Sequence, residues 1–200
     1  SLSLDEDKQP VSNVSWLNAA LFCNWLSRRD GLRPFYVIKY GDLLGFRPDS
    51  TGYRMPTEAE WEWASKAKGG EKNTFIWGTE YPPPSQTGNF ADESLKGDGE
   101  KIIVYNDGFT VSSPVASFVS NDKGLFDMDG NVAEWVHDFY NATPETRPEQ
   151  DPLGPIGGNS HVIKGSSWKS SSRASLKSAY RTFKEKRASD LGFRIARYAR

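Results

Sequence analysis

The sequence predicts a single α+β domain, residues 1–200, with two short helices, a few short strands and many irregular loops. Two segments carry apolar residues at the three- and four-residue spacing of a helix with one buried face. The composition agrees, because 18 glycines and 12 prolines accompany 7 tryptophans, 8 tyrosines and 11 phenylalanines. That mixture favours aromatic side chains packed against irregular backbone. A chain of 200 residues is long enough for one real core.

The first predicted helix spans residues 15–29, and Gly31 is a plausible C-terminal cap. Its apolar residues recur at spacings of three and four, namely Ala19, Phe22, Cys23 and Leu26. This spacing places Cys23, the only cysteine, in the core as a small buried hydrophobe without chemistry. A single cysteine also excludes an internal disulfide framework and a multi-cysteine zinc site.

The second predicted helix begins at Thr57 in the segment GYRMPTEAEWEWASKA. Thr57 and Glu60 match a capping box, in which a hydroxyl and a carboxylate satisfy free backbone N–H groups. An apolar stripe is predicted to face the core, with two glutamates toward solvent; the stripe is Ala59, Trp63 and Ala67, and the glutamates are Glu58 and Glu62.

The remaining chain is predicted to be loops with short strands. Residues 69–125 mix glycine, asparagine, aspartate and proline with short apolar pieces. So long an irregular region needs an anchor beyond secondary structure, and bound cations are one candidate. Short strands are expected near 36–39, 161–164 and 192–198, the last two separated by a serine- and lysine-rich surface segment.

Charge and hydropathy exclude several classes of partner. The 25 basic and 26 acidic side chains nearly cancel, so no global field favours nucleic acid. No apolar run is long enough for membrane insertion, and the polar start SLSLDEDKQP does not fit a signal peptide. The compartment stays open, with the bacterial cell envelope or periplasm as the working expectation.

Four segments in order resemble the formylglycine-generating enzymes, also called sulfatase-modifying factors. They are QPVSNVSWLNAALFCNWLS, GYRMPTEAEWEWASKA, GLFDMDGNVAEWVHDFY, and VIKGSSWK with DLGFRIAR. The resemblance implies a C-type-lectin-like fold with two short helices, a small twisted antiparallel sheet and long loops held partly by calcium. The opening strands of the family pattern would precede residue 9, so the sheet is expected either to lack these strands or to receive them from another chain.

The resemblance also implies two structural calcium sites. The first would use the Asp127 and Glu134 side chains with the Gly130 and Val132 carbonyls, and the alternative is a turn with solvated acids. The second would use Asn89, the Phe90 carbonyl, Asp107 and the Phe109 carbonyl. Calcium prefers oxygen ligands and binds more tightly as charged ligands are added. The first site, with two carboxylates, is therefore expected to bind more tightly.

Catalysis is a harder question, because the two cysteines of the active enzymes map onto Ser170 and Ser175. A serine hydroxyl stays protonated and is a poor ligand for cuprous copper. An iron triad needs two histidines and an acid; only His137 and His161 exist, without a clustered motif. Neither copper nor iron is therefore expected. A hydrolytic triad lacks the G-x-S-x-G elbow that would support it.

The basic segment, residues 168–187, fills the position of the family's substrate groove. Its proposed ligand-binding residues are Trp168, Lys169, Arg173, Lys177 and Arg181. Such a face favours an acidic peptide, protein or glycan, and the alternative is a solvated lysine-rich loop.

Three functions stay open from sequence. The first is a non-catalytic recognition or scaffold module within a larger bacterial protein, a pseudoenzyme. The second is a metal- and oxygen-dependent oxidase with altered ligands. The third is a hypervariable ligand-display protein, whose copies would differ mainly within the basic segment.

Overall fold

The computed structural model describes residues 3–66, 73–143 and 150–199, and within them it contains two helices and six strands. β1 and β2 form an antiparallel hairpin, and the other strands form one sheet in the order β5-β4-β3-β6. The elements are α1 (Trp16–Arg29), β1 (Tyr36–Lys39), β2 (Asp42–Phe46), α2 (Glu58–Ser65), β3 (Ala133–Phe139), β4 (His161–Lys164), β5 (Arg181–Lys184) and β6 (Leu191–Phe193).

The predicted α+β class with two short helices and a small sheet is confirmed. One detail differs from the expected antiparallel sheet. β3 pairs antiparallel with β4 but parallel with β6, so the sheet is mixed. The long β3 lies at its centre and is buried along most of its length, which makes it the strand on which the neighbouring elements depend.

Helix α1 begins where the sequence predicts. The Ser15 hydroxyl accepts a hydrogen bond from the Asn18 N–H at 3.1 Å, and Gly31 adopts a φ of 69° just beyond the last turn, as a C-terminal cap requires. Cys23 is fully buried, and burial raises the pKa of its thiol to about 12. The prediction that Cys23 is a buried hydrophobe is confirmed.

The capping box of α2 is also present. The Glu60 N–H donates to the Thr57 hydroxyl at 3.2 Å, and the Thr57 N–H donates to the Glu60 carboxylate at 2.8 Å. The same carboxylate forms a two-pronged ion pair with Arg54 at 2.6 and 2.7 Å. Because the Arg54 side chain is only 1% exposed, Glu60 neutralises a buried charge as well as capping the helix.

The predicted buried face of α2 is wrong. Trp61 is 1% exposed and Trp63 is 68% exposed, and Ala67 lies outside the described residues. The cause is Lys164 on β4, whose fully buried ammonium lies 3.0 Å from Glu62 and 3.8 Å from Glu58. A buried cation needs acidic partners, so the glutamates assigned to solvent face the sheet instead.

The two histidines lie in an aromatic core beside the sheet. The His161 ring stacks on Trp16 with centroids 3.6 Å apart, and the His137 ring meets Phe46 edge-on at 4.7 Å. Burial, together with the nearby charge of Arg54, lowers the pKa of His137 to about 3. Burial also lowers the pKa of His161 to about 4. Both imidazoles are therefore neutral packing groups at ordinary pH.

The two tryptophans of α2 give a direct test of this packing. Trp61→Ala should lower the free energy of unfolding by about 3–5 kcal/mol, because it removes a large buried ring. Trp63→Ala, the matched control, should cost less than about 1 kcal/mol, since Trp63 is largely exposed and its ring lies 5.0 Å from the Lys123 ammonium. Urea unfolding followed by circular dichroism measures both, and a larger loss for Trp63→Ala would show that the helix packs the other way.

The histidines give a second test. Between the folded-state pKa values and about 6.5 the unfolded chain binds protons that the folded chain does not, so these side chains disfavour folding as the pH falls through that window. In NMR titrations of the folded chain neither imidazole should titrate between pH 7 and about 5. A midpoint near 6.5 for either ring would contradict its burial.

Candidate functional site

Serine side chains hold the turn after β4, which contains Ser166, Ser167 and Ser170 and is called the serine turn below. The Ser166 hydroxyl accepts from the Gly130 N–H at 2.9 Å and donates to the Asp129 carboxylate. The Ser167 hydroxyl donates to Asp190 at 2.9 Å. Burial raises the pKa of Asp129 to about 7. These bonds tie the turn to the loop before β3 and to the residue before β6.

The two positions predicted to correspond to the family's cysteines, Ser170 and Ser175, form hydrogen bonds within their own turns. The Ser170 hydroxyl accepts from the Ser167 N–H at 3.0 Å. The Ser175 hydroxyl lies 2.9 Å from the Ser172 hydroxyl and 2.9 Å from its carbonyl oxygen. Within the described residues no hydrogen bond joins Ser170 to Ser175. Both side chains therefore act here as local turn hydroxyls.

Two lysines converge on one acid beside this turn. The Lys169 and Lys184 ammonium groups each lie 3.8 Å from the same Asp190 oxygen, and both side chains are more than 40% exposed. Lys169 also lies 2.6 Å from the Ser189 hydroxyl and 4.8 Å from the centre of the Trp168 ring. Two positive charges share one negative charge, which leaves a local positive excess at the surface.

The other predicted groove residues lie in different surroundings. Arg173 lies 5.5 Å from the centre of the Tyr81 ring, and Lys177 is exposed. Arg181 forms a two-pronged ion pair with Glu58 at 2.7 and 2.8 Å. The structure therefore groups Lys169 with Lys184 and engages Arg181 with helix α2. Sequence reasoning did not identify Asp190 as their common partner, although it directly precedes the segment LGFR.

The first predicted calcium loop has its carboxylates occupied by protein donors. Arg194 donates to both Glu134 oxygens at 2.6 and 2.7 Å, and the Trp61 indole donates to one of them at 2.7 Å. Arg194 also donates to the Asp127 carbonyl at 3.0 Å, while the Asp127 carboxylate accepts from the Ala116 N–H at 2.8 Å. Arg194 therefore pairs inside the fold.

Gly130 and Val132 are buried and lie between Asp127 and Glu134, the second of which is on strand β3. Because Arg194 already balances Glu134, a calcium ion here would compete with a resident cation. The ligand set Asp127, Gly130, Val132 and Glu134 stays a prediction, and this arrangement is a poor fit for it.

The second predicted calcium loop is a better fit. Asn89 is fully buried, its Nδ2 donates to the Val111 carbonyl at 2.7 Å, and its Oδ1 has no hydrogen-bond partner. A buried oxygen without a donor is costly unless a cation or other group satisfies it. The Asp107 carboxylate lies beside it, accepting from the N–H groups of Phe90 and Phe109 at 2.8 Å each. These residues stay predicted ligands.

A further acid, which sequence reasoning did not identify, lies at this loop. Asp92 is fully buried and accepts from the N–H of Asp107. Burial raises the pKa of Asp107 to about 7, with the charge of Asp92 acting in the same direction. The pattern N-F-A-D-E-S offered the signal, since it places an aspartate three residues after Asn89.

Other metal arrangements are not evident in the described ranges. Among those residues no group of three or more histidine, cysteine, aspartate or glutamate side chains is placed to hold a metal ion, a criterion that does not count asparagine or carbonyl ligands. Neither described helix is long and apolar enough to cross a bilayer.

Several known proteins are similar to this chain in sequence. The sulfatase-modifying factor enzyme 1-like domain family matches residues 3–199. Mouse formylglycine-generating enzyme is 30% identical over 198 residues, covering 96% of this chain and 45% of the mouse protein. Mouse inactive C-alpha-formylglycine-generating enzyme 2 is 30% identical over 195 residues, covering 94% of this chain and 48% of that protein. The chain spans about half the length of these curated relatives.

Solved structures agree with the fold. Treponema denticola variable protein 1 superposes with a TM-score of 0.76 at 30% identity, covering 98% of this chain and 74% of that one. PvdO from Pseudomonas aeruginosa superposes with a TM-score of 0.72 at 24% identity, covering 98% of this chain and 65% of that one, a likeness of fold alone. On the family match and these relatives, the chain belongs to the sulfatase-modifying factor enzyme 1-like domain family.

Proposed function

We propose that this chain is a non-catalytic recognition module of its family, and that its basic segment binds an acidic ligand. The observation that carries the first half is the local bonding of Ser170 and Ser175. A thiolate, not a hydroxyl, is the nucleophile and soft-metal ligand in cysteine chemistry.

Cys23 does not replace the missing thiols. It belongs to the core cluster that contains Met55 and Trp135, and its raised pKa keeps it protonated at neutral pH. His137 and His161 pack against aromatic rings. Mouse inactive C-alpha-formylglycine-generating enzyme 2 gives the proposal a precedent among the relatives, since its name describes an inactive protein.

The second half of the proposal rests on the lysine pair. Lys169 and Lys184 share the single Asp190 carboxylate, so an incoming carboxylate would gain two ammonium partners with little loss of existing pairing. Both side chains are partly exposed and flank the serine turn. The Trp168 ring, which packs against the Lys169 ammonium, adds an apolar group to this surface.

The display function has its own support. Treponema denticola variable protein 1 has a similar fold over nearly the whole chain, and its name describes a variable protein. That reading and the recognition module predict the same binding surface. Sequences of sibling copies would separate them, because only a display protein would vary chiefly within residues 168–187.

The absence of oxidase chemistry is testable directly. Supplied with cuprous copper or ferrous iron and a cysteine-bearing peptide, the chain should consume oxygen no faster than Ser170→Ala/Ser175→Ala protein, because neither hydroxyl supplies a thiolate. An oxygen electrode and a thiol assay of the peptide measure this. Metal-dependent oxygen uptake with loss of peptide thiol, abolished in the alanine variant, would establish the oxidase instead.

The lysine pair is tested by charge removal. Lys169→Gln/Lys184→Gln should weaken binding of a fluorescent oligoglutamate peptide by about tenfold or more, since two charge-assisted contacts are lost. The control Lys39→Gln/Lys96→Gln makes the same change in net charge at exposed sites. Fluorescence anisotropy at low and high salt provides the affinities, and binding should weaken as salt rises.

Equal affinities for the two double variants would contradict the proposed surface, as would equal binding of an uncharged oligoglutamine peptide. A heparin oligosaccharide measured in parallel distinguishes a sulfated glycan from an acidic peptide as the preferred ligand.

A further inference from the structure

In the loop spanning residues 88–109, one serine hydroxyl lies close to two other oxygen atoms. The Ser94 hydroxyl oxygen lies 2.6 Å from Asp92 Oδ1 and 2.5 Å from the Phe109 carbonyl oxygen. A hydroxyl carries one hydrogen, so it can bridge only one of these contacts. The other is a close approach of two electron-rich oxygens, which is unfavourable unless a positive charge lies nearby.

Asp92 and Asp107 add two acids to this cluster. Asp92 Oδ2 accepts from the Asp107 N–H, and the Asp107 carboxylate accepts from the N–H groups of Phe90 and Phe109. Among the described residues no lysine or arginine lies within ion-pair distance of either carboxylate. Buried acids are ordinarily paired with a cation or a metal.

Asn89 gives an independent indication of a ligand. Its side chain is held beside the 107–111 segment by the bond from Nδ2 to the Val111 carbonyl. Its Oδ1 is buried and has no hydrogen-bond donor among the described residues. A buried amide oxygen without a protein donor fits a small cation, and calcium takes asparagine, carboxylate and carbonyl oxygens together.

We propose that Asp92 is an additional calcium ligand of this loop, beside Asn89, Asp107 and the Phe109 carbonyl, and that this site binds calcium more tightly than the Asp127–Glu134 loop. Among the described residues, Asp92 and Asp107 of the loop at residues 88–109 have no basic side chain within ion-pair distance. In the Asp127–Glu134 loop, Arg194 already neutralises Glu134. This reverses the affinity order expected from the sequence, and it does not depend on the acidic ligand of the basic segment.

Calcium titration of the full chain by calorimetry tests the role of Asp92. Asp92→Asn should weaken the tighter binding event about tenfold or more, because a charged ligand is lost. Asp98→Asn, a matched change at an exposed position in the same loop, should titrate like the unaltered chain. Asp127→Asn should leave the tighter event unchanged.

The proposal is overturned if Asp92→Asn titrates like Asp98→Asn, if Asp127→Asn abolishes the tighter event, or if the unaltered chain binds no calcium. Should Asp92→Asn fail to fold, the unaltered chain decides the question. Anomalous diffraction from crystals grown with calcium should place an ion within about 2.6 Å of an Asp92 carboxylate oxygen. An ion bound at this loop beyond that reach, or no ion there, would refute the role given to Asp92.

Discussion

The rest of this fold depends on the hydrogen bonds and the ion pair that the Glu134 carboxylate forms. It lies on the central strand β3, receives the Trp61 indole from α2, and pairs with Arg194 just beyond β6. Three elements distant in sequence therefore meet at one largely buried acid, whose side chain is 7% exposed. Removing one partner of such a group leaves an unpaired buried charge, which is far more costly than a lost surface ion pair. Because these donors already occupy both of its oxygens, the Glu134 carboxylate is a poor fit for a metal ligand.

Local signals in the sequence predicted the parts of the fold that local interactions stabilise. The capping box at Thr57 and Glu60 formed as expected, and Cys23 lies in the core. The face of α2 was not predictable in this way, because it depends on Lys164, a buried cation about a hundred residues later in the chain. β3 was also missed, since its sequence AEWVHDF carries charged residues that are buried by distant partners. Helical periodicity contains no information about such partners.

The features of the candidate site also fall into two groups: those that the sequence predicts and those that depend on residues distant in the chain. Ser170 and Ser175, at the predicted cysteine positions, can be read directly from the sequence, because a hydroxyl supplies no thiolate whatever its surroundings. The grouping of Lys169 with Lys184 is not, since it requires Asp190 and the pairing of β4 with β5. Arg181 resembles its neighbours in sequence yet is engaged with Glu58. Counting charged ligands in the sequence likewise favours the Asp127–Glu134 loop, and that count takes no account of Arg194, which pairs with Glu134, or of the buried Asp92.

The serine turn after β4 contains two kinds of residue: some fix the backbone of the loop through buried contacts, and others have side chains exposed on its surface. Ser166 and Ser167 bond inward to Asp129 and Asp190, and Leu176 is fully buried. Exposed positions between and beyond them include Lys169, Ser172, Arg173, Ala174, Lys177 and Ala179. Exchanging these side chains would leave the inward anchors intact, so the specificity of the loop can drift while its backbone course is retained. The scaffold is in this respect evolvable, with mutational tolerance concentrated at the surface that a ligand would meet.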